Sequence, residues 1–317
     1  MRTITALFVG LGSIGTRHLK NLANLCADRG WTLQADALRS DLTRPLRPGA
    51  AELLHAQYTD PAAAPAHYDM VFITNPTSLH AEALRQVKGR GEALFIEKPI
   101  FSAEQTGLAL DELLPAGQKA YVAAPMRWCG AMLALKDRLP ALHPYCARVI
   151  CSSYLPDWRP GVDYRTVYSA HKALGGGVTI DLIHEWDYLV ELFGVPEKLY
   201  NFKGTYSELE IDSDDLSVYI AKYPTLLAEV HLDYFGRGYR RSIELFCRDG
   251  SYLADFGKGT LTLPDGTVQH YEEDVNRRYE REMEYFVDYA LTGCGESCNP
   301  PALALKVLKL TLGENVQ

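Results

Sequence analysis

The sequence lacks the features of a nucleic-acid-binding or membrane-spanning protein. It contains 32 Lys and Arg against 40 Asp and Glu, a net charge of -8, and no block of basic residues that could supply phosphate contacts. No apolar run approaches the roughly 20 residues that a membrane-spanning helix needs. Met1–Val9 is too short and too strand-like for a signal peptide. We therefore expect a cytoplasmic metabolic enzyme with no nucleic-acid or membrane partner.

Cysteine is sparse, and the sequence has no internal repeat or low-complexity tract. The seven cysteines are odd in number and scattered, which is typical of reduced thiols rather than of a disulfide framework. Cys294 and Cys298 have a spacing close to that of metal ligands, but no second pair accompanies them, so we interpret them as part of a loop and expect no metal site. A chain of 317 residues is long enough for two domains, each with its own core.

A glycine-rich turn follows the first apolar run of the chain. Ile4–Val9 leads directly into Gly10-Leu11-Gly12-Ser13-Ile14-Gly15, and a helix over 17–24 and a second strand over Thr32–Leu38 come next. Strand, glycine turn, helix and strand are the opening of a dinucleotide-binding unit, in which backbone amides at the helix N-terminus receive the pyrophosphate. The pattern predicts a dinucleotide site. The alternative is a glycine turn in an unrelated α/β domain.

The residues after the second strand bear on the choice between NAD and NADP. An acidic side chain there bonds the ribose hydroxyls of NAD, whereas a cation accommodates the 2′-phosphate of NADP. Arg39 and Ser40 follow Leu38, which favours NADP. Asp36 and Asp41 lie close enough that a small error in the strand end would favour NAD instead.

Two further buried-type strands end in polar residues that can line the cofactor crevice. The first strand, 68–74, ends at Thr74 and is followed by Asn75, Pro76 and His80, for which the alternative is a structural turn with a helix cap. The second strand, 93–96, is followed by Glu97-Lys98-Pro99. A charged pair directly after a buried strand is unusual unless it reaches a site, so we predict that Glu97 borders the cofactor and that Lys98 is catalytic.

A triple glycine in the middle of the chain precedes a carboxylate and an imidazole. Gly175-Gly176-Gly177 leads to Asp181 and His184, three residues apart. One helix is predicted from about Thr179, with an apolar stripe at Leu182, Trp186, Leu189 and Phe193. On that helix Asp181 and His184 would be neighbours away from the stripe. They are either part of a site or a solvated pair on an outer helix face.

The segment before the triple glycine, 154–172, is long, aromatic and irregular. Aromatic rings can stack on sugar faces, and cations can bond hydroxyls, carboxylates or phosphates. The alternative is a surface lid held by aromatic packing. The predicted substrate-binding residues of the chain are Arg127, Trp158, Arg159, Tyr164, Arg165 and Lys172.

Four motifs in order carry a family resemblance. The chain contains VGLGSIG, TNPTSLH, FIEKP and GGGVTIDLIHEWDYLVELFG, and it resembles the glucose-fructose oxidoreductase/inositol dehydrogenase (Gfo/Idh/MocA) family over nearly its whole length. The resemblance implies that Lys98, Asp181 and His184 surround the reacting carbon of a sugar or cyclitol. The family's Asp and His are commonly four residues apart rather than three, so Glu185 is a second candidate to face the site.

The resemblance implies an α/β fold with two domains. Residues 1–122 are predicted to form a Rossmann domain with a doubly wound parallel sheet, and residues 123–317 an α+β domain with an open-faced, largely antiparallel sheet. Strands of the second domain are predicted at 147–154, 200–206, 216–221, 226–234, 241–247 and 250–255, and closing helices at 275–291 and 302–312. Because one sheet face would stay uncovered, we expect a homodimer or homotetramer.

These expectations combine into one function. The chain is predicted to be an NAD(P)-dependent oxidoreductase that moves a hydride between the nicotinamide and a secondary alcohol or ketone carbon of a sugar, nucleotide sugar, sugar acid or cyclitol. His184 or Lys98 would carry the proton, and the two roles can be exchanged. Two alternatives are a non-catalytic regulator that binds the dinucleotide and a reductase of an imine or another unsaturated bond.

Overall fold

The structure is a computed structural model that describes residues 2–316, and it is an α/β protein. Its helices are α1 (Ser13–Asp28), α2 (His80–Gln86), α3 (Leu110–Leu113), α4 (Gly130–Arg138), α5 (Val178–Asp181), α6 (His184–Phe193), α7 (Val275–Thr292) and α8 (Pro301–Thr311). Its strands are β1 (Thr3–Val9), β2 (Thr32–Leu38), β3 (Leu54–Tyr58), β4 (Tyr68–Ile73), β5 (Gly91–Ile96), β6 (Lys119–Val122), β7 (Cys146–Tyr154), β8 (Lys198–Gly204), β9 (Leu216–Lys222), β10 (Leu227–Asp233), β11 (Phe235–Cys247), β12 (Gly250–Asp255), β13 (Thr260–Thr262) and β14 (Val268–His270). No helix within residues 2–316 is long and apolar enough to cross a membrane.

The chain divides into two compact units. The first unit consists of the chain as far as Ala123 together with Tyr279–Leu305, and the second of Ala124–Arg278 with the chain from Lys306 onward. The sequence-based division into 1–122 and 123–317 assigned the last two helices to the second domain. The contacts group Tyr279–Leu305 with the first unit because Met283, Phe286 and Val287 belong to that unit's core.

The first unit is built on a parallel six-stranded sheet with the order β3-β2-β1-β4-β5-β6. Its central strands are almost continuously buried, as expected for a parallel sheet covered on both faces. The carboxyl ends of parallel strands lie at one edge. The glycine turn after β1 and the segments after β2, β4 and β5 therefore share that edge, where such sheets bind ligands.

Stacked aromatic rings fill the core of the first unit. Phe8 and Phe72 stack with ring centroids 4.4 Å apart, and Phe286 of α7 meets Phe72 edge-on at 5.4 Å and Phe95 at 5.2 Å. Edge-on aromatic pairs contribute about 0.5–1.5 kcal/mol beyond the burial of their area. A helix from the far end of the sequence thus completes the core of the N-terminal sheet.

The second unit contains an eight-stranded sheet with the order β14-β13-β12-β11-β7-β10-β9-β8. All of its strand pairs are antiparallel except β7 with β10. On one face, Tyr219 meets Trp186 of α6 with ring centroids 5.2 Å apart, and Phe256 meets Tyr188 at 5.4 Å. The predicted fold class is therefore confirmed, with a parallel sheet in one unit and a largely antiparallel sheet in the other.

The helix predicted from Thr179 is interrupted. The structure has two helices, α5 and α6, and the chain turns between them at Leu182 and Ile183. The N–H of Ile183 bonds to the carbonyl of Ile180, three residues back rather than four, which ends the regular α-helical pattern. As a result, Asp181 ends one helix and His184 begins the next, so they are not neighbours on one helix surface.

Candidate active site

Two of the three motif glycines allow the turn after β1 to pack against the end of β4. Gly10 has φ +87°, and a Cβ atom there would lie 2.8 Å from Cα of Asn75. A Cβ at Gly15 would lie 2.6 Å from Oγ1 of Thr74, whose hydroxyl donates a hydrogen bond of 2.6 Å to the carbonyl of Gly10. Thr74 thus secures the turn, and only glycine fits at either position.

Gly12 has the opposite surroundings, because a Cβ there would meet nothing within 4 Å. It precedes the 16-residue helix α1, whose first N–H groups, from Ser13 and Ile14 onward, have no side-chain cap. Uncapped amides and the positive end of a helix dipole attract a phosphate. Oδ1 of Asn75 is also buried, with no hydrogen-bond partner within residues 2–316. The open space, the free amides and this acceptor fit a dinucleotide.

The carboxylate of Asp36 in β2 is bonded to other side chains of the first unit rather than being free for a ribose. Its carboxylate is buried and accepts hydrogen bonds from the hydroxyl of Tyr68 at 2.8 Å and from Nδ1 of His55 at 3.2 Å. Burial, reinforced by the bond to Asp36, raises the pKa of the Tyr68 hydroxyl, so this group remains a donor. Asp36 is therefore an internal acceptor between β2 and its neighbours.

Arg39 follows β2 and borders a surface cavity of about 430 Å³ that Arg44 and Arg47 also line. Its guanidinium donates to Oε1 of Gln57 at 2.8 Å and to the carbonyl of Arg44. Ser40 beside it is exposed. Asp41 accepts hydrogen bonds from the hydroxyl and the N–H of Thr43, and these bonds lower the pKa of its carboxyl. Three arginines and one acidic residue, Glu52, therefore line one cavity after β2.

His80 and Pro76 lie in the turn after β4. His80 is buried, with Nδ1 3.1 Å from the carbonyl of Ile100 and Nε2 3.1 Å from the carbonyl of Asn75. Burial lowers the pKa of His80, against the opposing effect of these two carbonyls. His80 thus braces the turn that presents Asn75, whereas Pro76 is exposed.

Glu97 is a buried carboxylate directly before Lys98. Its Oε1 lies 2.6 Å from Nε2 of His18, and its Oε2 accepts the backbone N–H of Lys98 at 3.1 Å. Burial raises the pKa of Glu97, but the hydrogen bond from His18 and the charge of Lys98 outweigh it and leave the pKa lowered. The carboxylate therefore holds the backbone at Lys98, whose own side chain is half-buried.

A cavity of about 440 Å³ within the second unit brings Asp181 and His184 together. Trp158 borders the same cavity, and its indole N–H donates to Oγ of Ser153 at 3.0 Å. Its ring meets Tyr234 edge-on at 5.2 Å. A carboxylate, an imidazole and an aromatic face thus line one cavity.

Asp181 is held by two phenols. Its Oδ1 accepts from the hydroxyl of Tyr168 at 2.8 Å and its Oδ2 from the hydroxyl of Tyr234 at 2.6 Å. The residue is only 9% exposed, so it is not a solvated residue on an outer helix face. Burial, together with the charge of Asp181, raises the pKa of both tyrosines, which therefore stay protonated as donors.

Glu185 does not point into open space. It is fully buried and forms a two-pronged ion pair with Arg241, whose Nε and Nη2 donate at 2.7 and 3.0 Å. Arg241 itself lines the cavity. Any influence of Glu185 on a ligand therefore passes through the guanidinium of Arg241.

Arg127 has a packing role. It is 3% exposed, and its guanidinium donates to both oxygens of Asp187 at 2.9 and 2.8 Å and to Glu191 at 2.6 Å. Since α6 carries both carboxylates, Arg127 anchors the helix that begins at His184.

Most of the other predicted substrate-binding side chains contact other residues of the second unit rather than the cavity. Arg165 donates to Asp163 and to Glu210, whose N–H in turn donates to the hydroxyl of Tyr164. The guanidinium of Arg159 lies over the Tyr168 ring at 5.8 Å. The side chain of Lys172 is exposed. Trp158 alone among the six lines the cavity with Asp181 and His184.

Sequence reasoning missed three cavity residues at the start of β11. Arg237, Tyr239 and Arg241 line the cavity, and the guanidinium of Arg237 lies over the ring of Tyr154 at 3.8 Å. The available signal was the alternation of glycine with Arg and Tyr over residues 236–239. The sequence-based strand began only at Arg241, which concealed the two earlier residues.

One family model matches the N-terminal part of the chain. Residues 4–123 match the model of the GFO_IDH_MocA family, described as an oxidoreductase family with an NAD-binding Rossmann fold. No curated protein matches the chain. The family resemblance predicted from the motifs is confirmed by the match over the N-terminal residues.

Solved structures extend the similarity to nearly the whole chain. Levoglucosan dehydrogenase in complex with NADH and levoglucosan has a TM-score of 0.81 at 15% identity, covering 98% of this chain and 96% of that one. UDP-N-acetylglucosamine 3-dehydrogenase from Acidithiobacillus ferrooxidans has a TM-score of 0.71 at 18% identity, covering 99% of this chain and 97% of that one. Myo-inositol 2-dehydrogenase from Lactobacillus plantarum has a TM-score of 0.76 at 19% identity, covering 98% of this chain and 96% of that one. At these identities the likeness establishes the fold.

The two kinds of glycine give a paired prediction. Gly12→Val should abolish dinucleotide binding in a calorimetric titration and change the free energy of unfolding by no more than about 1 kcal/mol, because its side chain enters only the open space. Gly15→Val should lower that free energy by about 1–3 kcal/mol in urea unfolding, because it overpacks against Thr74. Wild-type NAD and NADP affinity in Gly12→Val would show that the dinucleotide binds elsewhere.

Proposed function

We propose that this chain, a member of the Gfo/Idh/MocA oxidoreductase family through its residues 4–123, catalyses hydride transfer at a secondary alcohol or ketone carbon. The substrate is a sugar, nucleotide sugar, sugar acid or cyclitol. The observation that carries this proposal is the cavity in which Asp181 and His184 meet beside Trp158. An imidazole can move a proton near neutral pH, and an aromatic face suits a sugar ring.

The chemistry divides between the cofactor and the chain. NAD(P), when bound, accepts or supplies the hydride. His184 takes the hydroxyl proton or returns it, a role typically worth about a hundredfold to ten-thousandfold in rate. The ammonium of Lys98 stabilises negative charge on the substrate oxygen, and Asp181 keeps the donors in place. Lys98 and His184 can exchange these two roles.

The names of the similar structures support this substrate class. They are dehydrogenases named for levoglucosan, for UDP-N-acetylglucosamine and for myo-inositol. A non-catalytic regulator would bind the dinucleotide and turn over none of these compounds. An imine reductase would consume reduced cofactor with imines and not with keto sugars.

The catalytic residues are tested with the substrate that a panel of sugars, sugar acids, nucleotide sugars and cyclitols selects by absorbance at the nicotinamide band. Lys98→Met and His184→Ala should each lower kcat by about 10²–10⁴-fold with cofactor affinity nearly unchanged. The double variant should lose less than the product of the two effects, because residues that act as a unit are not additive.

Lys88→Met and His67→Ala are the matched controls, since both side chains are exposed on the first unit. Turnover within about twofold of wild type in Lys98→Met and His184→Ala, as for the controls, would reject their catalytic role.

We propose NADP as the preferred cofactor. Arg39, Arg44 and Arg47 surround one cavity after β2, and the carboxylate of Asp36 is already bonded to Tyr68 and His55. A cluster of guanidiniums favours a phosphate, whereas a free carboxylate in this position would favour the unmodified ribose.

Arg39→Ala should therefore weaken NADP binding by about ten- to a hundredfold, the effect of losing a bond to a charged group, and leave NAD binding within about twofold. Arg85→Ala, which removes an exposed arginine of α2, is the matched control. Titration of each variant with both cofactors makes the measurement. An equal loss for both cofactors would contradict the preference.

We further propose that the open face of the second unit's sheet pairs with another copy of the chain. Phe202 of the edge strand β8 is 72% exposed and Tyr200 is 53% exposed, with Ile220 beside them on β9. The same face carries Arg148 and Glu229, whose side chains form an ion pair, so two copies can present complementary charges to each other. Exposed apolar area of this kind favours association.

Phe202→Asp should shift the chain toward the monomer in light scattering coupled to size exclusion, because it places a charge in the apolar part of this face. Val268→Asp is the control, since Val268 is an exposed residue of β14 at the opposite edge of the sheet. A wild-type chain that is monomeric at tens of micromolar would contradict the proposal.

A further inference from the structure

Asp181 is bonded by two hydroxyls that come from different kinds of structure. Tyr234 lies in the bend between β10 and β11 and is fully buried, so its hydroxyl is held at the junction of two strands of the sheet. Tyr168 belongs to the segment 155–174, which we name the aromatic loop, and it is 44% exposed. One oxygen of the carboxylate is thus held by the sheet and the other by a surface loop.

Three backbone contacts seat the aromatic loop where Tyr168 meets Asp181. The carbonyl of Tyr168 would lie 2.0 Å from a Cβ at Gly176, so the loop rests directly on the backbone of the triple glycine. Oγ of Ser213 donates to the carbonyl of Ser169 at 2.7 Å, and the N–H of Asp212 donates to the carbonyl of Ala170 at 3.1 Å. These contacts present the Tyr168 hydroxyl to Asp181.

The Tyr168 bond is the one that can be broken without disturbing the sheet. A phenol that donates to a carboxylate fixes that carboxylate in one orientation, because an ionised carboxylate only accepts hydrogen bonds. If the aromatic loop moves away, Asp181 loses one of its two bonds and keeps the bond to Tyr234. The position of the loop and the orientation of the carboxylate are therefore physically linked.

We propose that Tyr168 is a positioning residue that couples the aromatic loop to Asp181, so that the carboxylate is fully oriented only when the loop lies on the triple glycine. This inference rests on the proposed function for its kinetic consequence. The bond itself does not depend on that function, which allows a second readout that needs neither substrate nor cofactor.

The kinetic arm uses Tyr168→Phe, which removes a single oxygen atom. It should lower kcat by about ten- to a hundredfold, the cost of one hydrogen bond to a charged group, and change KM much less. In an Asp181→Ala background the same substitution should have almost no further effect, because its partner is absent. Tyr252→Phe is the matched control, since that hydroxyl donates to Asp249 at the same distance of 2.8 Å and is remote from the cavity lining.

The second arm measures loop opening by limited trypsin digestion at Arg165 and Lys172, both exposed in the aromatic loop. Tyr168→Phe and Asp181→Ala should each speed cleavage at these two sites, and the double variant should be cleaved no faster than either single variant. Tyr252→Phe should be cleaved like the wild type. If Asp181→Ala lowers the melting temperature, Asp181→Asn takes its place.

The outcomes separate this inference from the proposed function. If no panel compound is turned over but cleavage follows the expected pattern, the proposed function fails and the link between Tyr168 and Asp181 stands. Wild-type cleavage rates in Tyr168→Phe would overturn the link. Independent, multiplicative losses of kcat in the Tyr168 and Asp181 variants would overturn the positioning role.

Discussion

Both candidate sites depend on glycines at which a neighbouring backbone or side-chain atom lies so close that no Cβ atom fits. In the first unit, Gly10 lies against Asn75, and Gly15 lies against Thr74. In the second unit, Gly176 lies against the carbonyl of Tyr168, and Gly177 would place a Cβ 2.5 Å from Oδ1 of Asp214. Every one of these contacts brings a polar turn to a strand end or a helix start. Because the constraint is steric, it fixes the geometry without using any of the polar groups that a ligand needs.

Buried carboxylates supply the second layer of organisation, and each has a defined partner. Glu97 bonds to His18, Asp187 to Arg127 and Glu185 to Arg241. Removing one member of such a pair leaves the other charge buried without a partner and commonly lowers the free energy of unfolding by about 3–5 kcal/mol. Asp181 differs, because neutral phenols hold it rather than a cation. Its two oxygens are therefore held by hydrogen bonds alone and not by an ion pair.

Sequence reasoning found the elements with strong local signals and missed those without them. The bounds of β2, Thr32–Leu38, were predicted as observed. By contrast, β3 and β6 were missed because they are short, with five and four residues, and the five residues of β3 include no buried one. Within the candidate site, Asp181 and His184 were predicted, whereas Arg241, which lines the cavity, and Tyr234, which bonds Asp181, were not, since both lie more than 45 residues farther along the chain.

By itself, the sequence determined the glycine turn after β1, the order of the motifs along the parallel strands and the family resemblance of residues 4–123, because these depend on residues that are adjacent in the chain and obey local steric rules. Only the tertiary structure decided which charged side chains face a cavity. Arg127 and Glu185 are predicted to be site residues from their position in the chain, yet both form ion pairs with residues about 60 positions away in the sequence. Burial forces such charges to pair, and the identity of the partner is a property of packing rather than of local sequence.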